Sequence, residues 1–178
     1  MSTRTLILWR HAKSSWTDPK LDDFDRPLSP RGERAAPQMA AHIIRALPSP
    51  DAIICSPAVW TRQTLQPYLA RSKHHPPAVI YDQDIYEAGH TVLFSVLRQS
   101  IAAKTVLMVG HNPGLQGLAL TLLNEPEARN PLAMRMAQKF PTGAVCVFTT
   151  SENWGTLSAK STQFISFTRP KDLDQNTK

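Results

Sequence analysis

The stretch Thr5-Leu6-Ile7-Leu8-Trp9-Arg10-His11-Ala12-Lys13 decides the fold class. Leu6 to Trp9 is apolar at every position, with no polar alternation. That pattern suits a strand buried on both faces, as in a parallel sheet. The run then stops at a cation and an imidazole, Arg10 and His11. Open α/β sheets bind ligands beyond the carboxyl ends of their strands, so this pair stands where a site is expected.

Working outward, Ala52-Ile53-Ile54-Cys55 and Thr105-Val106-Leu107-Met108-Val109 have the same character. Between these runs the period becomes helical. Ala36, Met39, Ala40, Ile43, Ile44 and Leu47 form one apolar stripe, opened by Ser29 as cap and Pro30 at the first helical position. Pro37 inside that helix is expected to kink it. The next helix is expected to open on Ser56 and Pro57. A further helix is read near Thr91–Ile101, and another from Asn112 as cap and Pro113, with Leu115, Leu118, Ala119, Leu122 and Leu123 as its stripe. The segment holding Met134 and Met136 has little periodicity and reads as a lid or a connecting loop. Gly143–Thr150 and Gln163–Thr168 read as two strands of an edge hairpin. Strands alternating with helices predict a three-layer α/β/α sandwich on a mostly parallel central sheet, with an antiparallel edge hairpin. One domain over residues 1–168 and a polar, frayed tail over residues 169–178 are expected.

Composition narrows the function classes. The chain has 178 residues, 42% hydrophobic and 19% charged, which is ordinary for a globular domain and not for a disordered one. Its net charge is +6, and it is lopsided: residues 1–75 hold 11 basic and 6 acidic side chains, residues 76–178 hold 9 and 8. Two cysteines in apolar runs, Cys55 and Cys146, read as buried thiols rather than a disulfide framework, and no zinc spacing is present. The apolar run near the N-terminus is too short for a signal peptide or membrane span, so a cytoplasmic protein is expected. Nucleic-acid binding is suggested only by the charge and has no supporting motif. A second strand-end histidine, His111 in Val109-Gly110-His111-Asn112-Pro113, matches His11 and makes a site suited to an anion.

At these residues the chain resembles the histidine phosphatase superfamily, which has the phosphoglycerate mutase-like fold, and within it the SixA-type phosphohistidine phosphatases. The likeness is carried by LILWRHAKSSW (6–16), DFDRPLSPRG (23–32), ICSPAVWTRQTL (54–65), DIYEAG (84–89), VLMVGHNPGL (106–115) and FPTGAV (140–145). The resemblance implies that His11 is the nucleophile that takes the phosphoryl group and that Arg10 binds phosphate. It implies that Arg26 is a pocket arginine and that His111 contacts the transferred group. Imidazole is a good nucleophile near neutral pH. Phosphoryl transfer is catalysed mainly by positioning and by cations on the equatorial oxygens, and arginine forks match those oxygens better than lysine does. The resemblance implies no cofactor and no metal, because arginines and histidines supply the positive charge. Glu87 lies where a general acid could occur. A phosphohistidine substrate needs that acid less, since its phosphorus–nitrogen bond is labile once protonated.

One position departs from the family pattern. The family carries arginine four residues past the serine of SPA-x-R-x-x-Q-T, and here Trp60 stands there. Arg62 lies two helical steps on, about 200° around the helix, and reads as surface. Three readings of Trp60 stay open: another cation, Lys13 or Arg62, fills the space; the indole forms an aromatic wall that selects a flat substrate; or the site binds phosphorylated ligands with weak or no turnover. Plain core packing of Trp60 also stays open and would still leave the arginine absent. Lys13, Ser14 and Asn112 are further candidates for ligand contact. The expected partner is a protein phosphohistidine or a small phosphorylated metabolite, with no nucleic acid and no membrane.

Overall fold

The computed structural model describes residues 3–72, 77–100 and 102–174. Six strands form one sheet: β1 Arg4–Arg10, β2 Ala52–Cys55, β3 Val79–Tyr81, β4 Thr105–Gly110, β5 Val145–Thr150 and β6 Thr162–Thr168. Their order is β3-β2-β4-β1-β5-β6. β1, β4, β2 and β3 run parallel, while β5 and β6 add an antiparallel edge. The helices are α1 Pro30–Ala46, α2 Val59–Arg71, α3 His90–Gln99, α4 Gly114–Leu122, α5 Pro131–Gln138 and α6 Pro170–Leu173.

The unbroken apolar character of β1 has a direct cause. Ile7 and Trp9 pack against Met39, Ala40 and Ile43 of α1 and Leu65 and Tyr68 of α2. Leu6 and Leu8, pointing the other way, pack against Leu93, Leu115, Leu118 and Met136 from α3, α4 and α5. Side chains alternate across a strand, so helices on both faces demand an apolar residue at every position. Each such side chain contributes roughly 1.5–3 kcal/mol by leaving water. The edge hairpin forms as expected, with an irregularity in pairing between Val147 and Phe148. Cys55 and Cys146 are buried and unpaired, as read, and burial pushes the Cys55 thiol up to about 12.

Four local expectations are corrected. α2 begins at Val59, and Ser56 does not cap it, because its hydroxyl is taken by a histidine described below. α4 begins at Gly114 with Pro113 at its cap and no side-chain capping bond; Asn112 precedes a cis proline and turns its amide elsewhere. The segment around Met134 is helical, opened by Asn130, whose side chain accepts from the Leu132 N–H. Residues 169–174 are not frayed: Arg169 donates to both Asp172 carboxylate oxygens and closes the short helix α6. Pro37 lies inside α1 without ending it. Ile101 and residues 175–178 lie outside the described residues. Among the described residues no helix is long and apolar enough to cross a membrane.

Candidate active site

The two histidines meet because their strands are neighbours in register. Arg10 pairs with Gly110 across β1 and β4, and the His11 N–H donates to the Gly110 carbonyl at 3.0 Å. Their imidazole centroids lie 5.3 Å apart, tilted by 50°. Two glycines hold the surrounding loops close. A Cβ on Gly32 would lie 2.3 Å from the Lys13 carbonyl, so only glycine lets the start of α1 press against the segment after β1. A Cβ on Gly114 would lie 2.1 Å from the Ala88 carbonyl, where the loop carrying Glu87 crosses the start of α4. Glu87 itself has φ 48°, a left-handed backbone that is uncommon outside glycine.

His11 is 8% exposed, and its Nδ1 lies 2.7 Å from the Ala12 carbonyl oxygen. A carbonyl can only accept, so Nδ1 carries the proton and Nε2 holds the free lone pair. The Ala12 N–H is in turn fixed by Thr64 Oγ1 at 2.9 Å. Burial pushes His11 down to about 3, against the opposing pull of the Ala12 carbonyl. His111, Arg10 and Lys13 add to the lowering.

His111 is 4% exposed. The Trp60 indole N–H donates to its Nδ1 at 3.3 Å, and indole has no acceptor, so Nδ1 is unprotonated. The proton sits on Nε2 and is donated to Ser56 Oγ at 2.7 Å. Burial, then the charge of Arg10, pushes His111 down to about 4. Both imidazoles are therefore neutral at ordinary pH. The positive charge lining the cavity comes from Arg10 and Lys13, which corrects the expectation that the histidines share it.

These side chains line a cavity of about 360 Å³. Arg10, His11, Lys13, Ser14, Trp60, Glu87, His111 and Asn112 all reach it. Arg10 is oriented by donation from one terminal nitrogen to the Phe140 carbonyl at 2.6 Å, while its Nε is buried without a partner. Asn112 donates to Gln116 Oε1 and to the same Phe140 carbonyl, and its Oδ1 is buried without a partner. Trp60, 3% exposed, stands beside both histidines, its ring 5.6 Å from that of His11 and 5.8 Å from that of His111.

Two predicted residues are not brought to the cavity. Arg62 is exposed on α2 and lies over the Tyr81 ring at 5.6 Å, as its helical angle implied. Arg26 is buried behind the wall. It donates to the Asp18 and Leu21 carbonyls, pairs with Asp23 at 3.4 Å and lies 4.1 Å over the Trp16 ring. It thereby holds Trp16 and Asp23, which do line the cavity, as does Thr142. Sequence reading gave none of these three a role, although all lie in or beside the motifs that matched. Tyr86 was missed too; it donates to Asp23 at 3.1 Å and packs edge-on against His111. Burial, then its bond to Asp23, pushes its phenol up to about 12. Among the described residues no group of three or more His, Cys, Asp or Glu is arranged to hold a metal ion.

Comparison with known proteins bears on the family and the fold. The sequence profile of the histidine phosphatase superfamily (branch 1) matches residues 6–95. An uncharacterised protein of Mycobacterium tuberculosis is 33% identical over 162 residues, 91% of this chain and 99% of its own length. The solved structure of SixA from Nakamurella multipartitia superposes with a TM-score of 0.82 at 27% identity, covering 96% of this chain and 98% of that one. SixA from Agrobacterium tumefaciens gives 0.76 at 26% identity, covering 94% and 99%. The α/β sheet and its helices are thus phosphoglycerate mutase-like.

Proposed function

We propose a reaction for a chain that belongs to the histidine phosphatase superfamily, in its SixA-type branch: hydrolysis of a phosphorylated substrate through a phosphoryl group carried on His11. The observation that carries this reading is the His11 Nδ1–H bond to the Ala12 carbonyl. It leaves Nε2 unprotonated on a ring that lines the cavity, and a pKa of about 3 keeps it so across ordinary pH. In the first step the Nε2 lone pair attacks phosphorus. The new N–P bond forms as the bond to the leaving group breaks, and the leaving group departs with its electron pair. In the second step water attacks phosphorus, Nε2 leaves with the pair, and the proton lost by water balances the one taken by the leaving group.

Arg10 takes the role of equatorial clamp, with its buried, unpartnered Nε as a donor in waiting. Glu87 is the candidate to protonate an alcohol leaving group and then to accept the proton of water. Glu87 is an exposed residue of the cavity lining, and a leaving group needing little help from an acid fits that placement. Protein phosphohistidine, whose leaving imidazole is readily protonated, is therefore the preferred substrate class, ahead of a small phosphomonoester. No metal is required in this scheme. Trp60 puts a neutral indole, its N–H donated to His111, where the family carries a guanidinium.

The test is a rapid quench with a labelled phosphohistidine peptide. Acid-labile label is expected on the wild-type protein and none on His11→Ala. Undiminished turnover by His11→Ala overturns the reaction. One observation favours a second reading, a phosphate-ligand binding protein with weak or no turnover. Both His111 nitrogens are engaged within the protein, by Trp60 and Ser56, so His111 has no spare donor for a phosphoryl oxygen. Under that reading the wild type binds inorganic phosphate without turnover, and Trp60→Arg gains activity.

A further inference from the structure

A second, larger cavity of about 580 Å³ opens on the other side of the Phe140–Thr142 segment. Arg31 at the start of α1, Arg135 on α5, Lys139 just beyond it, Arg169 before α6 and Lys171 within α6 converge on it. These residues are far apart in sequence, and the fold gathers them. Asp172 bonds Arg169 and lies 3.4 Å from Arg135. Arg31, Lys139 and Lys171 make no side-chain hydrogen bond or ion pair among the described residues, and all three are exposed. Thr142 lines both cavities. The carbonyl of Phe140, two residues before it, is the acceptor that orients Arg10 and Asn112. One short segment therefore separates the reaction chamber from a basin with an excess of positive charge, five cations against the one carboxylate of Asp172.

We infer that this basin docks an acidic polypeptide segment flanking the phosphorylated residue of a protein substrate; this rests on the reading that the phosphoryl group enters the cavity of His11. A small phosphomonoester is accommodated by the first cavity alone and leaves the second unused. Only a substrate that continues past the phosphoryl group reaches both. Its chemistry follows from the lining: three exposed cations around one open basin attract carboxylates over a long range and align them before contact. Nucleic acid fits less well. The lining offers no aromatic face on which a base could stack, and the charge forms one concave patch rather than a stripe along a strand.

The test uses the full chain and the variant Arg31→Gln/Lys139→Gln/Lys171→Gln, whose substitutions are all exposed. The probes are a fluorescent peptide of alternating Asp and Glu, its Asn/Gln counterpart, and an oligothymidylate of equal charge. The acidic peptide is expected to bind the wild type and to weaken about tenfold or more in the variant. The neutral peptide should bind neither, and p-nitrophenyl phosphate turnover should be unchanged. A phosphohistidine peptide with acidic flanks should lose its kcat/KM advantage over one with neutral flanks. Equal binding of the acidic peptide by variant and wild type, no binding by either, or stronger binding of the oligothymidylate overturns the inference. Absent turnover in both proteins with peptide binding intact counts against the reaction at His11 and not against this surface.

Discussion

The two cavities on either side of the Phe140–Thr142 segment are built on opposite principles. The smaller is floored by buried imidazoles that the fold has stripped of charge: His11 and His111 are each held in one tautomer by a fixed partner. The larger is walled by five cations, of which Arg31, Lys139 and Lys171 are exposed and have no side-chain hydrogen bond or ion pair among the described residues. Burial makes an imidazole a nucleophile with its lone pair free, because the charged form is penalised. Exposure leaves a cation hydrated and able to attract at a distance. The contrast separates chemistry, which depends on geometry to within an ångström, from recognition, which depends on summed charge.

The sharpest way to break the contrast is His11→Ala. The loss in kcat is expected to be at least ~10⁴-fold, since removing a nucleophile removes the whole covalent route; steady-state kinetics with matched circular dichroism checks it. Arg10→Gln comes next, with kcat lowered about 10²–10³-fold, the scale of one lost donor to transition-state charge. Trp60→Phe keeps an aromatic ring, though a smaller one, and deletes the N–H that meets His111. A loss of about tenfold in kcat/KM, the size of one hydrogen bond, is expected, with little change in fold. The charge-neutralised variant of the larger cavity should move none of these values for p-nitrophenyl phosphate.

Acid stability reads the same floor in another way. Both imidazoles titrate near 6.5 in the unfolded chain but at about 3 and about 4 in the folded protein. Between pH 6.5 and 4 the unfolded state therefore binds more protons, and stability falls as pH falls, by roughly 1.4 kcal/mol per unit for each imidazole at most. Urea midpoints at pH 7, 6 and 5 measure this, and His111→Asn should flatten the slope. The same depression predicts no fall in kcat/KM from protonation of His11 down to about pH 5. The smallest effect belongs to the larger cavity. Raising salt from 50 to 200 mM should lower kcat/KM for an acid-flanked phosphohistidine peptide by roughly threefold and leave p-nitrophenyl phosphate unchanged.

Much of the fold was legible because burial on two faces leaves a plain mark. An apolar residue at every position of Leu6–Trp9 has few explanations other than a central parallel strand, and a polar pair ending it has few other than a site. The departure at Trp60 was legible too, since both flanks fixed its register. What Trp60 does was not. Whether an indole N–H meets His111, water or nothing depends on side chains brought together from α2 and β4. Ser56 and Asn112 misled for the same reason. Each has the composition of a helix cap, but Ser56 is drawn off by His111, and the Asn112 side chain by Gln116 and the Phe140 carbonyl. Arg26 sits in a matching motif yet turns its guanidinium into the Asp18–Asp23 loop, a choice that loop carbonyls make and sequence does not display.

By itself, then, the sequence determined the alternation of strands and helices, the strand ends at which His11 and His111 stand, and the absence of an arginine at position 60. These are local matters, set by side-chain period and by what a buried strand can hold. Only the tertiary structure decided which imidazole nitrogen is free, which cations face the reaction and which face away, and that Arg31 joins Arg135, Lys139, Arg169 and Lys171 in one basin. The +6 charge announced that cations were in excess but not where they would meet. Electrostatic fields sum over space rather than along the chain, and the folded geometry sets the distances in that sum.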